Sequence, residues 1–212
     1  EVFTELKKRN LLPETEAVRE RATPPKPLTD DARNYFYSRE LSDATIDALR
    51  LGAEKNAVQF PYYVDGELVS VKTKYLNGGY SQTKGGGSYL YNLDNINWSK
   101  PVVIVEGEID VLSLHEAGVS NVISVPNGAT LNHNNLDYLD NCIDYFEDKE
   151  KIILAVDADE PGNMLKQEFI RRLGAENCFI VDFVDCKDAN EYLMKHGADA
   201  LRSAIHTAQP VP

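Results

Sequence analysis

The stretch "VVIVEGEIDVLSLHEAG", residues 102–118, decides the reading of this chain. Four apolar residues run without polar alternation into Glu106. That is the pattern of a parallel strand covered on both faces, since a half-exposed strand would alternate. A helix over about 108–117 follows, and Gly118 ends it. The same grammar recurs downstream, with apolar runs at 122–125, 152–156 and 179–184. Helices are predicted between them at about 135–146 and 161–173, the second ended by Gly174. Leu136, Leu139, Ile143 and Phe146 form one stripe at helical spacing. Two short helices, near 188–196 and 198–207, close the chain. Strands alternating with helices predict a doubly wound α/β unit with a four-stranded, mostly parallel sheet and flanking helices.

The residues ahead of this unit read differently. Residues 1–28 are polar, end in "TPPKPL", and read as a linker. Thr29 is placed to cap a first helix through "DDARNYFYSRE". Ser42 is placed to cap a second, "DATIDALRL", which Gly52 would stop. "VQFPYYVDGELVSVKTKYL" is a hairpin signal with Asp65-Gly66 as its two-residue turn, and a Gly-rich loop covers 77–88. The expected organisation is a linker (1–28), a small α+β subdomain (29–98), the α/β unit (99–206) and a tail linker (207–212).

Charge supports two units. Residues 1–95 carry 13 Lys+Arg against 14 Asp+Glu, whereas residues 96–212 carry 9 against 20. The basic footprint of a nucleic-acid binder is missing, so contact with phosphate falls to local lysines or bound cations. Cys142, Cys178 and Cys186 form no CxxC pair, which argues against a zinc ribbon and fits a reducing, cytoplasmic setting. His115, His133, His196 and His206 show no ligand spacing either. No apolar run approaches 18 residues, so a membrane partner is not expected. A start at Glu1 and an end in "HTAQPVP" read as cuts in a longer polypeptide.

In open α/β sheets the working crevice lies beyond the carboxyl ends of the strands, and here acids stand at those ends. Glu106 follows the first strand, and Asp157 and Asp159 follow the third in "LAVDADEPG". Positions i and i+2 of an extended segment point the same way, so Asp157 and Asp159 can face one site. Asp110 lies one helical turn past Glu106, and "DCKDANEYL" adds Asp185 or Asp188. At ~4 Å each like-charged pair costs on the order of 1 to 4 kcal/mol, so such a rim calls for a cation. Oxygen ligands suit Mg²⁺ or Mn²⁺, which bridge carboxylates to phosphates. Taken singly, Glu106 reads as a helix cap and the DxD as a turn; their joint placement favours a metal site.

"VEGEID", "VDADEPG" and "KDANEYL" resemble the three signature motifs of the Toprim domain, found in primases, topoisomerases and some nucleases. "SVPNGA" (124–129) is similar to a strand-loop motif of phage and mitochondrial primase-helicases. The resemblance implies a Rossmann-like Toprim fold in which Glu106, Asp157 and Asp159 are catalytic and bind metal with Asp110 and Asp188. "YFYSRELSDATIDALRLG", the hairpin and "KYLNGG" resemble the subdomain that precedes Toprim in primases. Lys72 and Lys74 share one face of a strand, and Lys84 lies in the Gly-rich loop. These lysines are candidates to hold a template backbone or a nucleoside triphosphate, the alternative being a solvated hairpin face.

The resemblance therefore implies an enzyme, the primer-synthesising RNA-polymerase core of a DNA primase in a bacterial or phage replication machinery. Its cofactor would be Mg²⁺ or Mn²⁺. Its partners would be a single-stranded DNA template, ribonucleoside triphosphates and a helicase domain in the same or a partner chain. A Toprim nuclease or topoisomerase-like enzyme is one alternative, though no Tyr sits in a nucleophile motif. A non-catalytic single-stranded-DNA module of a replicative helicase is the other.

Overall fold

A computed structural model describes residues 21–84, 89–127 and 136–211. The front unit opens with α1 (Asp30–Tyr37), whose N-cap Thr29 accepts a hydrogen bond from Ala32 N at 3.2 Å. α2 (Asp43–Ala48) departs from expectation at both ends. Ser42 does not cap it through its side chain. Ser42 N and Oγ, with Thr45 Oγ1, instead donate to the Glu116 carboxylate at 2.9, 2.8 and 2.5 Å. The helix also stops before Gly52, because Arg50 turns into the left-handed region (φ 54°).

Gly52 opens β1 (Gly52–Glu54), followed by β2 (Ala57–Val64), β3 (Glu67–Tyr75) and β4 (Tyr80–Gln82) in one antiparallel sheet of that order. The β2–β3 turn is Asp65-Gly66, with φ 53° and 78°, the primed geometry that matches strand twist. Part of the expected leading linker is packed: Ala53 N donates to Lys26 O at 3.0 Å, and a Cβ on Gly52 would fall 2.3 Å from Pro25 Cβ. Glycine is required there for close approach, not to end a helix.

The rear unit runs β5 (Val102–Val105), α3 (Glu108–Glu116), β6 (Val122–Ser124), α4 (Asp137–Asp140), β7 (Ile152–Leu154), α5 (Glu160–Leu173), β8 (Cys178–Ile180), α6 (Ala189–His196), α7 (Ala198–His206) and β9 (Gln209–Pro210). The sheet order is β6-β5-β7-β8-β9, with parallel pairing except at β9. The expected 135–146 helix is broken: α4 gives way to a 3-10 turn at Ile143–Phe146, with Cys142 out of helical geometry (φ −118°, ψ 4°). The expected stripe is still mostly buried through Leu136, Leu139 and Phe146. The tail expected as a linker instead adds the antiparallel edge strand β9 on β8.

All four β5 side chains are buried, and they alternate between two cores. Val102 and Ile104 join Ile152, Leu154, Leu165 and Phe169 on one face. Val103 and Val105 join a second cluster that also holds Phe36, Ile46, Phe60 and Tyr62 of the front unit. The two units thus share one core. Each fully buried Val or Ile contributes roughly 1.5–3 kcal/mol, so separating them would expose much of the chain's stability. α3 is caught between the sheet and the front unit, with seven consecutive residues from Glu108 to Leu114 buried.

Candidate active site

The chain leaves β5 toward β6 on one side, and β7 lies on the other. The switch point of the sheet is therefore between β5 and β7, where a crevice opens beyond the strand ends. Glu106 stands directly after β5 and is 8% exposed. Its Oε1 accepts a hydrogen bond from Asp157 N, past the end of β7, at 3.1 Å. α5 closes over this contact: a Cβ on Gly162 would fall 2.2 Å from Asp157 O and 2.6 Å from Glu106 Oε1. We expect Gly162→Ala to cost ~1–3 kcal/mol from overpacking, measured by denaturant unfolding. A cost under about 0.5 kcal/mol would show that α5 retreats freely.

Asp159 caps α5 through Oδ1, which accepts from Gly162 N at 2.9 Å. Its Oδ2 and that of Asp157 both face Lys187, whose ammonium lies 3.5 and 3.1 Å away. Asp110, in the first turn of α3, is 7% exposed and accepts from Asn190 N at 3.1 Å. Burial first, then the charges of Asp188 and Asp157, hold its carboxyl well above the usual carboxylate range. Burial also raises Asp157, although Lys187 opposes the shift. Asp188 caps α6, accepting from Glu191 N at 2.8 Å. Glu106, Asp110, Asp157, Asp159 and Asp188 therefore converge from separate β–α junctions of one sheet.

The lysines divide. Lys72 is not on a solvated face: it is 8% exposed, with Nζ 2.8 Å from Glu108 Oε1 and 2.8 Å from Pro126 O. Tyr62 Oη donates to the same Glu108 oxygen at 2.5 Å. Lys74, on the same strand face, is exposed. Desolvation and then Arg39 lower its ammonium pKa, while Glu108 and Asp110 act the other way. It thus lies within the field of the carboxylate rim. Lys84 is exposed beside residues 85–88, which fall outside the described residues, as do residues 128 and 129 of the "SVPNGA" stretch.

Sequence reasoning missed three participants. Lys187 sits beside Asp188 in the third motif, but only the fold turns it onto Asp157 and Asp159. Asn190 ties the units together: its Nδ2 donates to Arg39 O (3.1 Å) and Ser113 Oγ (2.9 Å), and Arg39 Nη1 donates to its Oδ1 (2.9 Å). Glu108 was visible only as one more acid in the first motif.

Residues 103–193 match the Toprim-like family model. The match falls within the rear unit. The chain is 36% identical over 208 residues to the Primase homolog protein of Arabidopsis thaliana, covering 88% of this chain and 62% of that protein. It is equally similar to the Twinkle homolog protein, chloroplastic/mitochondrial, of the same plant, spanning 29% of that longer protein. It also matches a chain of the bacteriophage T7 complex between a lagging-strand DNA polymerase and primase domains bound to an RNA/DNA hybrid and dTTP. There the TM-score is 0.69 at 26% identity, over 82% of this chain and 91% of that one. In sequence and fold, the chain is thus similar to primase relatives, and it spans less than two thirds of the length of the two plant proteins.

Proposed function

We propose that this chain is the primer-synthesising core of a DNA primase, joining ribonucleotides on a single-stranded DNA template. The observation that carries the reading is the Glu106 carboxylate bonded to the Asp157 amide, with Asp110, Asp159 and Asp188 gathered at the same crevice. This all-oxygen donor set fits a hard divalent ion, Mg²⁺ or Mn²⁺, held by Glu106, Asp157 and Asp159 with Asp110 and Asp188 beside them. When bound, such an ion neutralises phosphate charge and polarises the reacting oxygens. Glu106 also orients the start of the DxD loop by accepting the Asp157 amide proton, and Asp159 fixes the first turn of α5. Lys74 is placed to meet an incoming triphosphate or template phosphate, with Lys84 as a further phosphate contact from the adjacent loop. Lys72, spent on Glu108, acts by holding β3 against α3.

Ribonucleoside triphosphates, a single-stranded template and a helicase domain in the same or a partner chain are the partners this reading implies. A place in a cytoplasmic bacterial or phage replication machinery belongs to the same proposal. Among the described residues no helix is long and apolar enough to cross a membrane. The test is template-dependent ribonucleotide joining with Mg²⁺ or Mn²⁺, run beside nicking of supercoiled plasmid. Joining that stops with EDTA supports the proposal; nicking without joining assigns the site to a nuclease instead.

Lys187 gives a second measurable consequence. An ion entering between Asp157 and Asp159 has to displace an ammonium already there. We expect Lys187→Met to bind Mn²⁺ about fivefold more tightly without nucleotide, the worth of ~1 kcal/mol for a partly exposed ion pair. Electron paramagnetic resonance of free Mn²⁺ reads this directly, and equal affinity would show that Lys187 does not compete for the site.

A further inference from the structure

His196 has no ligand spacing in sequence, yet the fold gives it metal-binding neighbours. The turn after β8 carries Val184 in the left-handed region (φ 54°), an unusual conformation for a β-branched residue. It delivers Asp185 and Cys186 to the last turn of α6, where His196 stands. Asp185 Oδ1 lies 3.1 Å from His196 Nε2 and 3.5 Å from Cys186 Sγ. The three donor atoms all lie within 4.8 Å of one another. A tetrahedral ion with bonds of about 2.0–2.1 Å to N and O and about 2.3 Å to S has donor–donor edges of roughly 3.3–3.6 Å. The two edges at Asp185 Oδ1, 3.1 and 3.5 Å, thus already stand near those lengths, and the edge from His196 to Cys186 is within 4.8 Å.

We infer that Asp185, Cys186 and His196 form a three-ligand site for a zinc-class divalent cation, separate from the all-oxygen site of the Toprim crevice. The donor set separates the two by chemistry. Imidazole nitrogen and thiolate sulfur select borderline-soft ions, whereas the carboxylate rim selects hard ones. The surroundings also orient the ligands. Lys195 hydrogen-bonds the other Asp185 oxygen, Oδ2, and leaves Oδ1 to the cluster. The Tyr192 ring lies 4.5 Å from the His196 ring, centroid to centroid, and restrains the imidazole. On loading, the Sγ–H bond breaks, the proton passes to solvent, and sulfur bonds the ion. His196 Nε2 and Asp185 Oδ1 give lone pairs, and water completes the fourth position. A bound ion would tie the turn that leads into Lys187 and Asp188 to the end of α6.

The test is a Co²⁺ titration of the whole chain, reduced and stripped of metal by chelation. A thiolate-to-cobalt charge-transfer band with the strong visible bands of four-coordination is expected. Both should be lost in Cys186→Ser and in His196→Asn, and retained in Asp157→Asn/Asp159→Asn. Absence of the sulfur band from the wild type would overturn the site. So would bands of equal strength in His196→Asn, which would remove the imidazole from the ligand set, or a sulfur band that persists in Cys186→Ser, which would assign it to Cys142 or Cys178. His196 is partly exposed at a helix end, so its variant keeps the fold even where Cys186→Ser does not. Zn²⁺ should then raise the melting temperature of the wild type and not that of His196→Asn; equal shifts would count against the site.

Discussion

Glu106→Gln and the paired Asp157→Asn/Asp159→Asn variant are expected to lose at least about 100-fold in primer synthesis while remaining folded. Removing even an outer partner of a metal ligand typically costs 10–100-fold, so loss of a direct ligand should exceed it. The glutamine keeps the size of Glu106 and an oxygen that can accept the Asp157 amide proton, now 3.1 Å away. The charge disappears, and the second oxygen becomes an NH2 donor. The remaining acids lose the repulsion of Glu106, which adds, after burial and the charges of Asp188 and Asp157, to the upward shift of Asp110. The metal-free melting temperature should therefore stay level or rise as activity collapses. A folded Glu106→Gln protein that retains more than about a tenth of wild-type joining would remove Glu106 from the catalytic set.

Lys72→Met is expected to be the most destabilising single change outside the apolar core. Its ammonium and the Glu108 carboxylate meet at 2.8 Å with side chains only 11% and 9% exposed. Removing one member of a buried pair leaves the other charge uncompensated, at a cost of ~3–5 kcal/mol. For a chain of this size each kcal/mol shifts the melting temperature by about 2–4 °C, so a fall of roughly 6–20 °C is expected. Tyr62 softens the loss without cancelling it. Burial and then the Glu108 charge push its phenol well above its ordinary pKa, so it remains a hydrogen-bond donor to the stranded carboxylate. Lys72→Met/Glu108→Gln should recover most of the stability, because neither charge is then left alone. Scanning calorimetry of the single and double variants decides the matter, and a double variant no more stable than the single would refute the pairing.

The sheet was legible wherever neighbours in the chain carry the signal. β5, α3, α5, α6 and α7 fall within a residue or two of their predicted spans, because apolar runs and helical stripes are local patterns. The placement of acids after β5 and β7 was legible for the same reason. The predicted 135–146 helix was a local pattern too, but a stripe of buried residues survives a break at Cys142 and so cannot reveal it.

Periodicity and composition by themselves determined an alternating α/β unit, acidic at its strand ends and preceded by a hairpin. Tertiary structure alone decided that Glu106 touches Asp157, because adjacency of β5 and β7 is set by packing across about fifty intervening residues. It alone turned Lys72 inward onto Glu108, merged the expected subdomains around one core, and brought His196 to Asp185 and Cys186. The physical reason is common to all four. Hydrophobic burial is non-directional and rewards any arrangement that covers both sheet faces, so local pattern specifies which residues are buried. Which distant side chains then meet is chosen by how the layers close-pack.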